Sequence, residues 1–367
     1  MIKSIIIENF RCFNYTKAIG FSRLNLIGGK NNAGKSALLE ALLLMGKPSN
    51  ISIARLLSFR KISTEFLKAM PQKAWDDFFY HQKKENEIKL NFVLDTNNES
   101  DNKVSIICKE EPDDFISIIK NDAESSEELL EFASNLESTK SAKSSLSIIS
   151  YTKDTQLQKN IFICSSTGRV GRGIEHTFID THFIMSESFK VNTEQLATEF
   201  DKAKLEGKSG ELLKAFQIID STIAEVDTFN LGESSIYLKR NNENYMQLSL
   251  FGDAMNRIAD YILRIVNNKN SILLIDEIEN GIHYQCQENI WKILFNLCEE
   301  YNVQLFATSH SYEMIEAFKN FILNNKVQDY GAYFEMSRHP ASNQINIQKI
   351  PIYSLEDKLK NKRPVRG

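Results

Sequence analysis

The chain has 367 residues, of which 42% are hydrophobic and 25% charged, and its formal net charge is −4. This length allows one large domain or two ordinary ones, and the composition is typical of a packed globular protein. A pI of about 6.0 argues against a dedicated nucleic-acid-binding protein, although it leaves room for a local basic groove. The five cysteines are scattered without a C-x-x-C pair, which favours reduced thiols in a cytoplasm, and no apolar run is long enough to span a membrane.

The first predicted elements are strands at residues 2–7 and 24–27 and a helix at residues 35–45. Between the second strand and the helix, residues 29–36 read G-K-N-N-A-G-K-S, which fits the phosphate-binding pattern G-x-x-x-x-G-K-S. Such a pattern alone can also be an ordinary glycine turn before a helix. The strand before it and the helix after it favour a P-loop, because the motif requires that context.

A P-loop binds phosphate through inward-facing backbone N–H groups and the positive end of its helix. Lys35 is predicted to reach the β- and γ-phosphates of ATP, and Ser36 to bind Mg²⁺. The residues predicted to bind nucleotide through this loop are Gly29, Asn31, Asn32, Ala33, Gly34, Lys35, Ser36 and Ala37.

The next stretch, residues 51–80, is predicted to be helical with a break at Pro71. Its cluster Trp75, Phe78, Phe79 and Tyr80 is interpreted as core, with a partner-binding patch as the alternative. Further on, short apolar runs predict antiparallel strands at residues 87–95, 104–109, 146–151 and 160–164.

Three segments of the middle leave alternatives open. Residues 110–143 are acidic and serine-rich, and they are interpreted as a helix with a loop or as an acidic interaction surface. Residues 168–173 read G-R-V-G-R-G, which favours a hairpin turn over a phosphate- or acid-binding loop. Residues 176–186 are a strand candidate, and residues 192–219 predict a helical hairpin without sustained heptads.

A second motif ends in two carboxylates. Residues 271–277 read S-I-L-L-I-D-E, and four consecutive apolar residues indicate a buried central strand of a parallel sheet. Ligands bind at the carboxyl ends of such strands. We therefore predict that Asp276 binds Mg²⁺ and that Glu277 activates the attacking water as a general base. The end of a surface strand is the alternative for this run on its own.

Another strand candidate, at residues 301–306, leads into A-T-S-H. His310 would then lie at the carboxyl edge of the sheet, where it could hydrogen-bond the γ-phosphate or the attacking water. The alternative is a structural histidine.

The order of these motifs resembles that of ABC-type ATPase heads, and more closely that of the RecF/SMC-like and OLD-like ATPases. The resemblance lies in I-E-N-F-R-C-F at residues 7–13, the P-loop, D-E-I-E-N-G-I-H at residues 276–283 and A-T-S-H-S at residues 307–311. It implies an α/β P-loop fold with a mixed β-sheet core flanked by helices. The catalytic positions of that family would be Lys35, Ser36, Asp276, Glu277 and His310.

The resemblance also implies contacts beyond the P-loop. Arg11 would lie near the nucleotide, and Asn280 would lie in the loop that meets the other subunit. The signature L-S-G-G-Q appears here as L-S-L-F-G-D at residues 248–253. Ser249 and Gly252 of this segment would cap the γ-phosphate bound to the opposite protomer.

Residues 1–47 and 235–367 are predicted to form a split ATPase core, and residues 48–234 an inserted lobe of antiparallel strands and helices. After His310 the sequence predicts a hairpin, residues 332–337 with 344–350, and a basic tail at residues 358–366. That tail is interpreted as solvated, with a contact to nucleic acid as the alternative.

The resemblance implies a cytoplasmic ATPase that binds ATP and Mg²⁺ and works as a homodimer or higher oligomer. Stand-alone chains of this kind resemble the ATPase subunits of bacterial antiphage defence systems, which act with a separate effector such as a nuclease or toxin. Two alternatives remain: a RecF-like DNA-repair ATPase, and a scaffold that binds ATP without hydrolysing it. The presence of Glu277 disfavours the scaffold.

Overall fold

The structure is a computed structural model, and it describes residues 1–95, 100–109, 143–166, 168–172, 177–184 and 193–360. The predictions for residues 110–142 and 361–366 therefore lie outside the described residues. Strands of the described chain are β1 Ile2–Phe10, β2 Phe13–Ile19, β3 Leu24–Gly29, β4 Ile88–Leu94, β5 Ser100–Lys109, β6 Lys143–Thr152, β7 Thr155–Ser165, β8 Gly168–Arg172, β9 Thr181–Ile184, β10 Ile223–Asn230, β11 Ser234–Arg240, β12 Met246–Gln247, β13 Ile272–Ile275, β14 Gln304–Thr308, β15 Gly331–Arg338 and β16 Ile345–Ile350.

The helices are numbered in the same way, by their order in the described chain. They are α1 Lys35–Gly46, α2 Asn50–Phe59, α3 Thr64–Ala69, α4 Thr193–Leu205, α5 Ser209–Ile219, α6 Asp253–Val266, α7 Gln287–Glu300, α8 Tyr312–Asn324 and α9 Ile352–Lys360. No helix in these described ranges is both long and apolar enough to cross a bilayer.

The core is a six-stranded mixed sheet in the order β16-β15-β3-β14-β13-β9. β3, β13 and β14 are buried along their whole length, and β13 pairs in parallel with β14 on one side and β9 on the other. Such continuous apolar runs belong to strands that are covered on both faces. The predicted buried central strand at residues 272–275 and the predicted mixed-sheet P-loop fold are thus confirmed.

Helix α1 lies between this sheet and a second one. The second sheet has seven antiparallel strands in the order β2-β1-β4-β5-β6-β7-β8. Every residue of α1 except Ser36 is buried, because the helix contacts β13 and β3 on one side and β4 and β5 on the other. This packing fixes the P-loop at the start of α1 against both sheets.

The opposite face of the core sheet is covered by helices. Along β13, Ile272 and Leu274 pack with α1, whereas Leu273 and Ile275 pack with the cluster around α6, α7 and α8, as expected from the alternation of side chains along a strand. The cluster around α6, α7 and α8 also includes side chains of a small sheet, β10-β11-β12, and of the helical hairpin α4–α5.

Several predictions for the middle of the chain are confirmed. The strands β4 to β7 form the expected antiparallel meander, and α4–α5 is the expected helical hairpin. The prediction of a hairpin turn at residues 168–173 is wrong for residues 168–172, which form strand β8 and pair antiparallel with β7. The terminal hairpin β15–β16 is also present. Of residues 176–186 the structure describes 177–184, and within them the strand is β9 at Thr181–Ile184.

The prediction of helix up to residue 80 is wrong beyond Ala69. There the chain forms single 3₁₀ turns, the first of which has Pro71 at its start. These turns bury Trp75, Phe78 and Phe79 against the sheet, whereas Tyr80 is only half-buried. The interpretation of this cluster as core therefore holds for its three buried members.

The division into core and inserted lobe remains a prediction, and strand pairing crosses both of its boundaries. β1 and β2 share a sheet with β4 to β8, and β9 is an edge strand of the core sheet. The hairpin β10–β11 spans the second boundary, because Val226 pairs with Leu238.

Candidate nucleotide-binding site

The P-loop connects the end of β3 to the start of α1. A side chain at Gly29 would place its Cβ 2.4 Å from the carbonyl oxygen of Met336, and one at Gly34 would place it 2.7 Å from Sγ of Cys12. Gly34 also has φ of 92° and caps α1 without a side-chain hydrogen bond. Both positions require glycine because neighbouring atoms leave no room for a Cβ. No side chain caps the first turn of α1, so its backbone N–H groups are available to bind an anion.

Lys35 folds back over the loop that precedes it. Its Nζ donates to the carbonyl oxygens of Gly29 at 2.8 Å and Lys30 at 3.0 Å. Burial lowers the pKa of Lys35, while the charges of Asp276, Glu279 and Glu277 oppose that shift. The ammonium group is thus held inside the loop, where a phosphate group could replace the carbonyl contacts.

Asp276 joins the P-loop helix to the neighbouring strand. Its Oδ2 accepts a hydrogen bond from Oγ of Ser36 at 2.7 Å, and its Oδ1 accepts one from Oγ1 of Thr308 at 2.6 Å. In the parallel register Ile275 pairs with Ala307, so Asp276 and Thr308 follow side by side. A serine hydroxyl next to a carboxylate fits Mg²⁺, which commonly takes one or two protein oxygens together with substrate phosphates.

Glu277 has an unusual backbone for a residue with a side chain. Its φ of 50° lies in the left-handed region, a strain of order 1–3 kcal/mol that surrounding contacts must hold in place. Its N–H donates to Oγ1 of Thr308 at 2.9 Å, and its Oε2 accepts from Nδ2 of Asn280 at 2.8 Å. Thr308 and Asn280 therefore fix this carboxylate beside the cleft.

His310 lies beside Glu277 and contacts a third carboxylate. Its Nδ1 is 2.9 Å from Oε1 of Glu279 and 3.9 Å from Oε1 of Glu277. The backbone N–H of His310 donates to the same Oε1 of Glu279 at 2.8 Å. Glu279 was not predicted as a site residue.

Two arginines share one buried carboxylate at the other end of the cleft. Nε of Arg11 donates to Oε2 of Glu40 at 2.8 Å, and Nε of Arg60 donates to Oε1 at 2.8 Å. The guanidinium of Arg11 also lies 4.4 Å above the ring of Phe78. Burial lowers the pKa of Arg11, and the charge of Glu40 opposes that shift. This network ties the turn between β1 and β2 to α1 and to the end of α2.

These groups surround a cleft of about 670 Å³. Its lining residues are Arg11, Cys12, Asn31, Asn32, Gly34, Lys35, Ser36, Ala37, Arg60, Asp77, Asp276 and Glu277. Most of the predicted P-loop residues, Arg11 and both motif carboxylates thus meet in one place. Gly29 and Ala33 belong to the loop without lining the cleft. Asn280 and His310 do not line it either, but both lie beside Glu277.

Ser249 and Gly252 lie elsewhere, at the start of α6, and Ser249 is near Thr193 and Asn256. The structure does not bring them into the cleft of their own chain. Sequence reasoning missed Cys12, Arg60, Asp77, Glu40, Thr308 and Glu279. For Thr308 a signal exists, since residues that end adjacent parallel strands lie together.

The fold and the cleft define a P-loop ATPase domain of the AAA/ABC type. A family model described as "AAA domain, putative AbiEii toxin, Type IV TA system" matches residues 24–316. The chain belongs to this family.

Two relatives and two solved structures extend the comparison. An ATP/GTP phosphatase of Helicobacter pylori is 28% identical over 346 residues, covering 88% of each chain. An uncharacterised protein of Methanocaldococcus jannaschii is 37% identical over 97 residues, covering 25% of this chain and 42% of that protein.

The structures share the fold at low identity. An SMC head bound to the C-winged helix domain of ScpA has a TM-score of 0.54 at 9% identity, over 97% of this chain and 99% of that one. An SMC head with an extended coiled coil, bound to the C-terminal domain of ScpA derived from Pyrococcus furiosus, has a TM-score of 0.50 at 9% identity, over 99% of both chains.

Proposed function

We propose that this protein hydrolyses ATP in the cleft between the P-loop and the ends of β13 and β14. The observation that carries the proposal is the hydrogen-bonded series Ser36, Asp276, Thr308 and Glu277. It joins the P-loop helix to a carboxylate suited to a metal and to a second carboxylate suited to a base. The Helicobacter pylori relative, named an ATP/GTP phosphatase, supports the same reaction.

Each residue has a distinct role in this proposal. Lys35 would exchange its contacts with the two loop carbonyls for the β- and γ-phosphates. Ser36 and Asp276 would hold Mg²⁺, which supplies charge neutralisation on the phosphates when it is bound. Glu277, oriented by Asn280, would polarise the attacking water.

The test of nucleotide binding compares two lysines of the same loop. Lys35→Ala removes the buried ammonium, whereas Lys30→Ala removes a charge that is exposed. Isothermal titration with ATP and Mg²⁺ should show strong loss of affinity for the first variant and near-normal affinity for the second. Equal affinity in both variants would mean that the phosphates bind elsewhere.

We also propose that ATP is sandwiched between two protomers, capped by Ser249 and Gly252 of the facing chain. Two observations support this. Both residues lie outside the cleft of their own chain, and Leu250 between them is 74% exposed. A Cβ at Gly252 would meet no atom within 4 Å, so the free protomer leaves space for a partner there.

The sandwich is tested in the Glu277→Gln background, which should retain bound ATP. Light scattering with ATP and Mg²⁺ should show a dimer that Gly252→Leu abolishes. Gly232→Leu is the matched control, because Gly232 also has a positive φ and no neighbour within 4 Å. Equal masses for both leucine variants, together with equal rates of ATP release, would refute the sandwich. In a constitutive oligomer, Gly252→Leu should instead accelerate ATP release.

The biological role we propose is that of a regulatory ATPase subunit in antiphage defence, acting with a separate effector such as a nuclease or toxin. The family's description names a toxin–antitoxin system, which supports a function together with a second gene product. Cells that express the chain with the product of its neighbouring gene should resist phage, and Lys35→Ala should restore plating. No protection, together with ATP-dependent and salt-sensitive DNA binding, would favour the DNA-repair alternative.

A further inference from the structure

Glu279 is a buried carboxylate that neither the P-loop contacts nor the Asp276 site accounts for. Its side chain is 8% exposed, and ionised carboxylates are rarely buried without specific partners. We propose that Glu279 is the positioning residue of His310, holding its imidazole beside Glu277 at the γ-phosphate end of the cleft. This inference rests on the proposed ATP hydrolysis.

Glu279 first fixes the backbone that carries the histidine. Its Oε1 accepts hydrogen bonds from the N–H groups of His310 at 2.8 Å and Ser311 at 3.2 Å. These bonds cross from the loop after β13 to the loop after β14. Between Glu277 and Glu279, Ile278 is fully buried and donates its N–H to the carbonyl of Thr308. The carboxylate of Glu279 therefore belongs to a segment whose backbone is hydrogen-bonded to the end of β14.

Glu279 also faces the imidazole ring. Nδ1 of His310 lies 2.9 Å from its Oε1, with the ring N–H out of line for a straight hydrogen bond. Within the described residues, Nδ1 of His310 and Oε2 of Glu279 are both buried and both lack a hydrogen-bond partner. A rotation that brings the ring N–H into line with the carboxylate would complete this bond, as catalytic hydrogen bonds often tighten when substrate binds.

This contact determines which nitrogen of the ring is presented to the nucleotide. The His310 side chain is 44% exposed although its Nδ1 is buried, so the accessible edge carries Nε2. A carboxylate at Nδ1 fixes that atom as the protonated nitrogen. Nε2 is then the atom presented to the attacking water or to the γ-phosphate.

The arrangement also keeps the two catalytic candidates apart. Nδ1 of His310 and Oε1 of Glu277 are 3.9 Å apart, and each group has a closer partner of its own. Asn280 binds the carboxylate of Glu277 at 2.8 Å, and Glu279 faces the ring of His310 at 2.9 Å. Adjacent residues of the segment D-E-I-E-N therefore orient the two groups separately, which leaves Glu277 free to act on water.

A double-mutant cycle in ATP hydrolysis tests the inference. Glu279→Ala should lower kcat by about 10²-fold with little change in KM, because a misplacement of about 1 Å can cost that much. Glu279→Gln keeps an acceptor oxygen and should lose less than about tenfold, since a neutral acceptor keeps roughly half the hydrogen-bond strength. The variant with both Glu279→Ala and His310→Ala should match His310→Ala alone. Independent, multiplicative losses would overturn the inference.

A second measurement does not depend on turnover. The protein has six histidines, and the His310→Ala variant assigns the His310 signals in a long-range ¹H–¹⁵N spectrum of histidine-labelled protein. In the wild type the neutral ring should carry its proton on Nδ1, and Glu279→Ala should move it to Nε2. A wild-type proton on Nε2 overturns the inference even if Glu279→Ala fails to fold. If the wild type shows no hydrolysis but has the Nδ1 proton, the proposed function fails and the pairing stands.

Discussion

Replacing Thr308 by valine should uncouple the two carboxylates of the site. Thr308 is fully buried, and its hydroxyl donates to Asp276 at 2.6 Å and accepts from the N–H of Glu277 at 2.9 Å. Valine has almost the same shape, so no cavity forms. The change removes one hydroxyl group and both of its hydrogen bonds.

The expected cost follows from those two bonds. A hydrogen bond to a charged group contributes about 1.5–3 kcal/mol, and a buried N–H left without a partner costs about 1–3 kcal/mol. Their sum is about 2.5–6 kcal/mol, a large share of the 5–15 kcal/mol that typically separates folded from unfolded protein. The strained backbone of Glu277, with φ of 50°, also loses the bond that holds its N–H.

Urea denaturation measures the free energy of unfolding, and Thr308→Ser is the matched control. Serine keeps the hydroxyl and loses one methyl group, which costs about 1 kcal/mol. Thr308→Val should therefore be less stable than Thr308→Ser by about 1.5 kcal/mol or more. Equal stability of the two variants would refute the reasoning, because the hydroxyl would then contribute nothing.

Two further predictions concern buried charge. Glu40→Gln leaves Arg11 and Arg60 without their shared carboxylate. It should lower the free energy of unfolding by about 3–5 kcal/mol. A change of less than about 0.5 kcal/mol, which is usual for surface substitutions, would contradict this prediction. Burial, with a smaller contribution from Arg264, lowers the pKa of His182 to about 4, whereas the unfolded chain should titrate near 6.5. The unfolded state then binds more protons, so stability should fall by about 3 kcal/mol as pH drops from about 6.5 to about 4. His182→Gln should reduce the dependence of the unfolding free energy on pH in this range. An unchanged dependence in that variant would contradict the prediction.

The parts of the candidate site that follow from local sequence could be placed without the structure. The P-loop depends on residues that are consecutive, and the strand that ends at Ile275 is marked by four apolar residues in a row. Asp276 and Glu277 follow this strand directly, so their position at its carboxyl end can be predicted without knowledge of distant segments. Arg11 also lines the cleft as the resemblance implied.

The parts that depend on distant pairing were missed. Arg60 reaches the site only because Glu40 binds it from α1, and nothing in the residues around Arg60 indicates that partner. The role of Glu279 is set by His310, which lies 31 positions further on. The pattern D-E-I-E-N shows a carboxylate there, but not the direction in which it points.

The same limit applies to the fold. The short strands of the middle were recognisable, but the pairing of β1 with β4 joins segments that lie on either side of α1, α2 and α3. The sequence predicted an inserted lobe at residues 48–234, and it gave no sign that β1 and β2 share a sheet with strands of that segment. The 3₁₀ turns after Ala69 were also missed, because burial of three aromatic side chains decides their path.

The central claim is that Glu277 activates water for hydrolysis of ATP bound at the P-loop. Steady-state phosphate release from the wild type and from Glu277→Gln tests it most directly, with ATP affinity measured on the same samples. Glutamine keeps the size of the side chain and its hydrogen bonding with Asn280, so binding should survive. Turnover should fall by about 10²–10⁴, the usual contribution of a general base. Equal turnover in both proteins would contradict the account, as would a wild type that binds ATP and Mg²⁺ and releases no phosphate.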